Sequence, residues 1–230
     1  LARIDAAAAV SDADPAAARA SITALRDAAE GAQIDARYGV PTFLWGTQAE
    51  ATLKAQRAAP TAKAALDPEA NARAHLHDLA DLYRISPAEI DALPLHSVSR
   101  LDNGGAIVRL RGEVVGIEVF REQFNVLLGG DGALVSIGGF AMGAPAAYRK
   151  HAQASVAAAA DAVARALGDF GFAADVAARF VPSDAEGGYV RLALPEGAAG
   201  DDGATLAHAA RAKRVWFRVG AELVPAFYVE

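Results

Sequence analysis

His75 and His77 are the only closely spaced imidazoles in the chain, and imidazole is the side chain from which metal centres and general bases are most often built. On a helix, residues two apart point about 200° away from each other, so this pair cannot close on one ion. They read as solvent-facing helix histidines. His96, His151 and His208 have no carboxylate at ligand spacing and read as surface or hydrogen-bonded rings. The absence of cysteine excludes thiolate nucleophiles, disulfides and cysteine-ligated zinc together. H-E-x-x-H, G-x-S-x-G and a Gly-rich loop leading into Lys-Ser/Thr are all missing. Asp131 and the Asp12/Asp14 pair lack the acidic spacing of an EF-hand loop. No acid–base pair can be placed, so neither an enzyme nor a cofactor or metal site is expected within these residues.

Two segments could still bind. Gly129-Gly130-Asp131-Gly132 would cradle a phosphate only if it opened a helix or formed a nest of N–H groups. It lies between two expected strands, where a hairpin turn is the better reading. In Arg211–Arg218, strand alternation places Arg214, Trp216 and Arg218 on one face and Val215, Phe217 and Val219 on the other. That face is either a cation–π platform for an acidic or aromatic partner, or a core-facing strand whose arginines snorkel.

The elements that must position these residues follow from their punctuation. Asp14-Pro15 opens an Ala-rich helical segment that runs to Glu30, and Gly39–Gly46 encloses a short extended apolar run. Ala49–Ala65, interrupted by Pro60, is helix or linker. Asp67-Pro68-Glu69 starts a helix to Tyr83, with Ala72, Leu76, Leu79 and Tyr83 on one apolar face. Ser86-Pro87 starts another that ends before Pro94. The period then changes to two, with strands expected over Leu95–Leu101, Ala106–Arg111, Val114–Phe120, Gln123–Leu128 and Ala133–Ile137. Asn103-Gly104 and Asp131-Gly132 supply residues that tolerate positive φ at turns. A third block repeats the scheme: a helix over Gln153–Leu167, the linker Pro195–Gly203, and strands Tyr189–Leu194, Val215–Val219 and Leu223–Val229.

The expectation is therefore α+β: an Ala-rich helical segment over residues 1–65, then two tandem modules, 66–143 and 144–230. Each module would be a helix packed on an antiparallel β-meander, in a cystatin-like arrangement. The chain has 230 residues, 53% of them hydrophobic, and a net charge of −6. That charge argues against nucleic acid as a partner. The most apolar run, Ala152–Ala160, is closed by Asp161 and is far shorter than the roughly 20 residues of a transmembrane span. Meanders with exposed edges suit binding through sheet edges or faces. The start at Leu1 reads as a processed or trimmed N-terminus.

Ala106–Ile137, with Gly116-Ile117-Glu118-Val119-Phe120 and the closing Asp131-Gly132-Ala133-Leu134-Val135-Ser136-Ile137, resembles the propeptide module of fungalysin- and thermolysin-type zinc metallopeptidases. The preceding helix, Asp67–Tyr83 with Ala72-Arg73-Ala74-His75-Leu76, is similar to that family's helix leading into the sheet. The third block resembles the PepSY-type module that follows in such propeptides, on the helix Gln153–Leu167 and the terminal strands Arg214–Val219 and Leu223–Glu230. The likeness is closest to the fungalysin-like branch.

The resemblance implies a non-catalytic pro-region, secreted or periplasmic after removal of a signal peptide. It would act as inhibitor and intramolecular folding chaperone of a zinc metallopeptidase domain expected beyond Glu230, with the zinc in that domain. The partner would be that catalytic domain, and the candidate contacts, taken from positions expected on exposed hairpins, are Glu118, Arg121 and Glu122 beside Phe120, with Arg214, Trp216 and Arg218. The alternative is a stand-alone secreted PepSY-type binding domain that regulates peptidases or recognises cell-envelope ligands.

Overall fold

The computed structural model describes residues 33–55, 67–143, 159–172, 179–184, 186–195 and 206–230. They fall into two compact units, Ala7–Pro145 and Ala146–Glu230. The helix expected over 14–30, the stretch 56–65 with Pro60, residues 153–158 of the third-block helix, His151 and the linker beyond Pro195 lie outside the described residues.

In the first unit the helix starts behave as their caps dictate. The Asp67 carboxylate accepts the backbone N–H groups of Glu69 and Ala70, at 3.3 and 3.2 Å, ahead of α2 (Pro68–Asp78), which follows α1 (Gly46–Ala55). The expected continuous helix to Tyr83 is two pieces, because Leu79 leaves helical geometry (φ −108, ψ 13) before α3 (Ala80–Tyr83). Ala72, Leu76, Leu79 and Tyr83 are nonetheless all buried on one face. Ser86 and Glu89 form a reciprocal capping box at α4 (Pro87–Ala92), satisfying two orphan N–H groups at once.

These helices cover one face of a six-stranded antiparallel sheet. Its strands are β1 (Gln33–Asp35), β2 (Val40–Trp45), β3 (Leu95–Arg100), β4 (Ala106–Val114), β5 (Ile117–Leu128) and β6 (Leu134–Gly138), in the order β1-β2-β6-β5-β4-β3. Alternation sends Leu44, Val108, Leu110, Phe124, Val126 and Ile137 into the core beneath the helices. Asn103-Gly104 and Asp131-Gly132 close two alike loops: each carboxamide or carboxylate accepts the N–H two residues on, and each glycine has positive φ, +83 and +80. Between β4 and β5 the chain turns in two residues, Val115 and Gly116, both with positive φ. Further along β5 the register slips by three residues: Arg111 pairs Gln123, yet Glu113 pairs Glu118. Val119–Glu122 bulge out opposite Gly112, with Arg121 in the left-handed region at φ 63.

The second unit has α5 (Ala159–Gly168), β7 (Val181–Asp184), β8 (Tyr189–Ala193), β9 (Ala210–Val219) and β10 (Glu222–Val229). Its strands pair antiparallel in the order β7-β8-β9-β10. Val163 and Leu167 of α5 pack with Phe172, Phe180, Leu192 and Ala212.

The expected α+β pair of helix-on-meander modules is overturned. Among the described residues strand accounts for 45% and helix for 27%, across ten strands, and the protein is mostly β. Two physical causes stand out. Val40–Trp45, grouped by sequence with an Ala-rich helical preamble, buries Val40 and Leu44 and pairs with β6, so the first sheet is not a meander. The strands are also longer than their hydrophobic runs: β5 holds 12 residues and β9 holds 10, while no described helix exceeds 11.

Candidate functional site

Four of the sequence-predicted interface residues sit at the β5 bulge, and the bulge decides their environments. Glu118 is half-buried and pairs with Arg111, Oε2 to Nη1 at 2.9 Å. The Arg121 guanidinium lies 5.2 Å from the centre of the Phe120 ring, and Arg121 is the exposed member of the group. Glu122 is buried, and its Oε2 accepts the Met142 N–H at 3.0 Å. That carboxylate holds the segment after β6 in place.

The other three sit on β9. Arg214 is exposed, whereas Trp216 and Arg218 are buried, at 2% and 8% exposure. Arg211 and Lys213 of the same strand make cation–π contacts on Tyr189, 5.2 and 4.8 Å from its ring centre. Tyr189 is the cross-strand partner of Lys213, a pairing that alternation within one strand does not reveal.

The two histidines diverge as expected. His75 Nε2 lies 3.1 Å from the Gly132 carbonyl, while His77 Nε2 lies 2.8 Å from Asp91 Oδ1. Among the described residues no group of three or more His, Cys, Asp or Glu side chains could hold a metal ion.

The arrangement most suited to contact lies at the β3 edge of the first unit, which the sequence reading did not single out. Among the described residues β3 pairs only with β4, and none of its six residues is buried. Leu95 and Val98 are exposed on the side that faces the helices. On the opposite side Ser97 pairs with Arg109 and Ser99 with Ile107. Arg109 Nη1 donates to both hydroxyl oxygens, Ser97 Oγ at 3.2 Å and Ser99 Oγ at 3.1 Å. Next to it Arg111 Nη2 is 2.8 Å from His96 Nδ1. At the far edge Arg37 forks onto Asp35, Nε to Oδ1 at 3.2 Å and Nη2 to Oδ2 at 2.7 Å. Burial pushes the Asp35 carboxyl up, but hydrogen bonds and charge from Arg37 outweigh it and hold the pKa below its ordinary value.

No protein-family model matches this chain, and no curated protein matches it. No described helix is long and apolar enough to cross a membrane. The chemistry of the β3 edge therefore has to be read from its own residues. Among the described residues it is an extended strand with one unpaired side, exposed apolar groups on one face and hydroxyl and guanidinium groups on the other, the kind of edge to which a further strand can add.

Proposed function

We propose that this chain is a protein-binding module that captures an extended segment of its partner on the β3 edge. The observation that carries the reading is the strand Leu95–Arg100, which among the described residues is paired on one side only and holds no buried residue. Backbone hydrogen bonds supply affinity in such additions, and alternate side chains supply specificity.

The partner we propose is the catalytic domain of a zinc metallopeptidase, with this chain as its inhibitory and folding-assisting pro-region, exported with it. Support comes from the pattern Gly116–Phe120 and Asp131–Ile137 noted above. A segment that binds the folded enzyme and not the unfolded chain stabilises the fold by mass action, strongly when tethered at high effective concentration. A strand added at an edge also gives a reversible contact that proteolysis of the pro-region removes.

The test is inhibition in trans. The gene is read beyond Glu230 for an H-E-x-x-H, and the mature peptidase from that precursor is assayed with the purified 230-residue chain. Saturable inhibition at micromolar concentration is expected. A peptidase unaffected by the chain, or a stop codon after Glu230, overturns the pro-region reading.

A further inference from the structure

We infer that the β3 edge selects an extended segment of alternating acidic and apolar residues, with one carboxylate of that segment seated on Arg109. This rests on the edge-binding reading above and adds the chemistry of the occupant.

Two of the five guanidinium N–H groups of Arg109 are on Nη1, and both are spent on the Ser97 and Ser99 hydroxyls. The Nε and Nη2 donors have no partner among the described residues, and Arg109 has no carboxylate within ion-pair distance there. That Nε/Nη2 edge is the one a carboxylate takes bidentately. Elsewhere this protein turns that edge to a carboxylate. Arg37 places Nε and Nη2 on the two oxygens of Asp35, and Arg73 donates from Nε and Nη2 to the single Oε1 of Glu69, at 2.9 and 2.7 Å. Arg109 presents the same fork, pre-oriented by two serines, without its acid.

The two hydroxyls add to the fit. Each accepts from Arg109, which leaves its own hydrogen free to point at an anion. Arg100, exposed at the end of β3 on the other, helix-facing side, also has no carboxylate partner among the described residues, so this end of the edge carries positive charge in a chain of net charge −6. Geometry supplies the alternation. Side chains of an added strand that fall beside Ser97 and Ser99 meet the arginine face, and the one between them falls beside Val98, with Leu95 on that same apolar side beyond the register irregularity at His96. Acidic residues suit the first set and apolar residues the second.

The probes are three labelled peptides, Val-Glu-Val-Glu-Val-Glu and its Gln and Lys counterparts, titrated with the whole chain by fluorescence anisotropy. The Glu peptide should bind roughly tenfold tighter than the Gln peptide, a difference typical of a charge-assisted pair, and the Lys peptide weakest. Binding of the Glu peptide should weaken as salt rises. Arg109→Gln should erase the Glu-over-Gln preference, and Arg109→Lys should not restore it, since an ammonium has no fork. Because the Glu-to-Gln change is made in the probe, the comparison holds even if a variant at Arg109 folds poorly. Equal binding of the Glu and Gln peptides overturns the inference while leaving edge binding in place. No binding of any peptide by a chain that still inhibits the peptidase also overturns it. Acidic-selective binding by a chain that inhibits no peptidase upholds it and removes only the pro-region reading.

Discussion

The Asn71 side chain donates from Nδ2 to the carbonyl of Gly132 across 2.6 Å, joining the first turns of α2 to the β5–β6 turn 61 residues away. Asn71 is 1% exposed, and its Oδ1 has no hydrogen-bond partner. One helical turn later His75 reaches the same oxygen. The helix therefore does more than cover the sheet: it fixes the turn from which β6 departs, and β6 holds β2.

Replacing Asn71 tests that coupling. Asn71→Ala removes the donor and should lower stability by about 1–3 kcal/mol in urea unfolding at neutral pH. Asn71→Asp should cost more, about 3 kcal/mol or above, because it buries a carboxylate against a carbonyl oxygen. Equal losses for the two variants would mean that the Asn71 amide does not face the Gly132 carbonyl as described.

A gain is expected at the β4–β5 hairpin. Val115 has φ 53, is 68% exposed, and precedes Gly116 at φ 72. Two positive-φ residues in a two-residue loop suit Asn-Gly, whereas a β-branched residue in the left-handed region carries about 1–2 kcal/mol of strain. Val115→Asn should raise the unfolding free energy by about 1 kcal/mol, read as a higher urea midpoint at unchanged m-value. A lower midpoint would show that Val115 makes a contact worth more than its strain.

That same turn marks the limit of what the sequence discloses. Asp67-Pro68, Ser86-Pro87, Asn103-Gly104 and Asp131-Gly132 announce their caps and turns because the residue type itself satisfies a backbone group or a positive φ. Val115-Gly116 announces nothing: valine argues for strand, and the local preference is overruled by the pairing of long flanking strands. The β5 bulge is equally silent, since Arg121 is not a residue that signals φ 63. Its three-residue slip explains why Glu122, expected at an exposed hairpin, is buried against Met142. Cross-strand register is also what brings Ser97 and Ser99 to Arg109, and Tyr189 to Lys213. Those neighbours are 10–24 residues apart or read from different elements, so no local pattern could have joined them.

Glycine substitutions separate backbone strain from backbone collision. Gly116 (φ +72) has open space where a Cβ would stand, so Gly116→Ala should cost about 1–2 kcal/mol through conformation alone. Gly139 (φ +79) follows β6, donates its N–H to the Thr42 carbonyl at 2.7 Å, and would drive a Cβ into the Gln123 carbonyl oxygen. Gly139→Ala should therefore cost on the order of 4 kcal/mol, or prevent the first unit from folding. Thermal unfolding of both variants gives the comparison, and similar losses would show that the Gln123 strand yields.

Tyr83 links the core to pH. Its ring is fully buried, edge-on to Phe124 at 5.0 Å and 87°, and its hydroxyl has no hydrogen-bond partner. Burial pushes the phenol well above its ordinary pKa of 10.0. Below pH 10.0 the folded and unfolded chains both keep the proton, so the stability it confers is fully present. Above that value the unfolded chain ionises Tyr83 and the folded chain does not, so stability falls as pH rises toward the folded pKa. Tyr83→Phe deletes an unsatisfied hydroxyl and the ionisation together. It should be neutral, or stabilising by up to about 1 kcal/mol, at neutral pH, and should move the alkaline unfolding midpoint upward. Tyr83 should gain tyrosinate absorbance only as the protein unfolds. A Tyr83→Phe protein with the same alkaline midpoint as the parent would show that other groups set the limit.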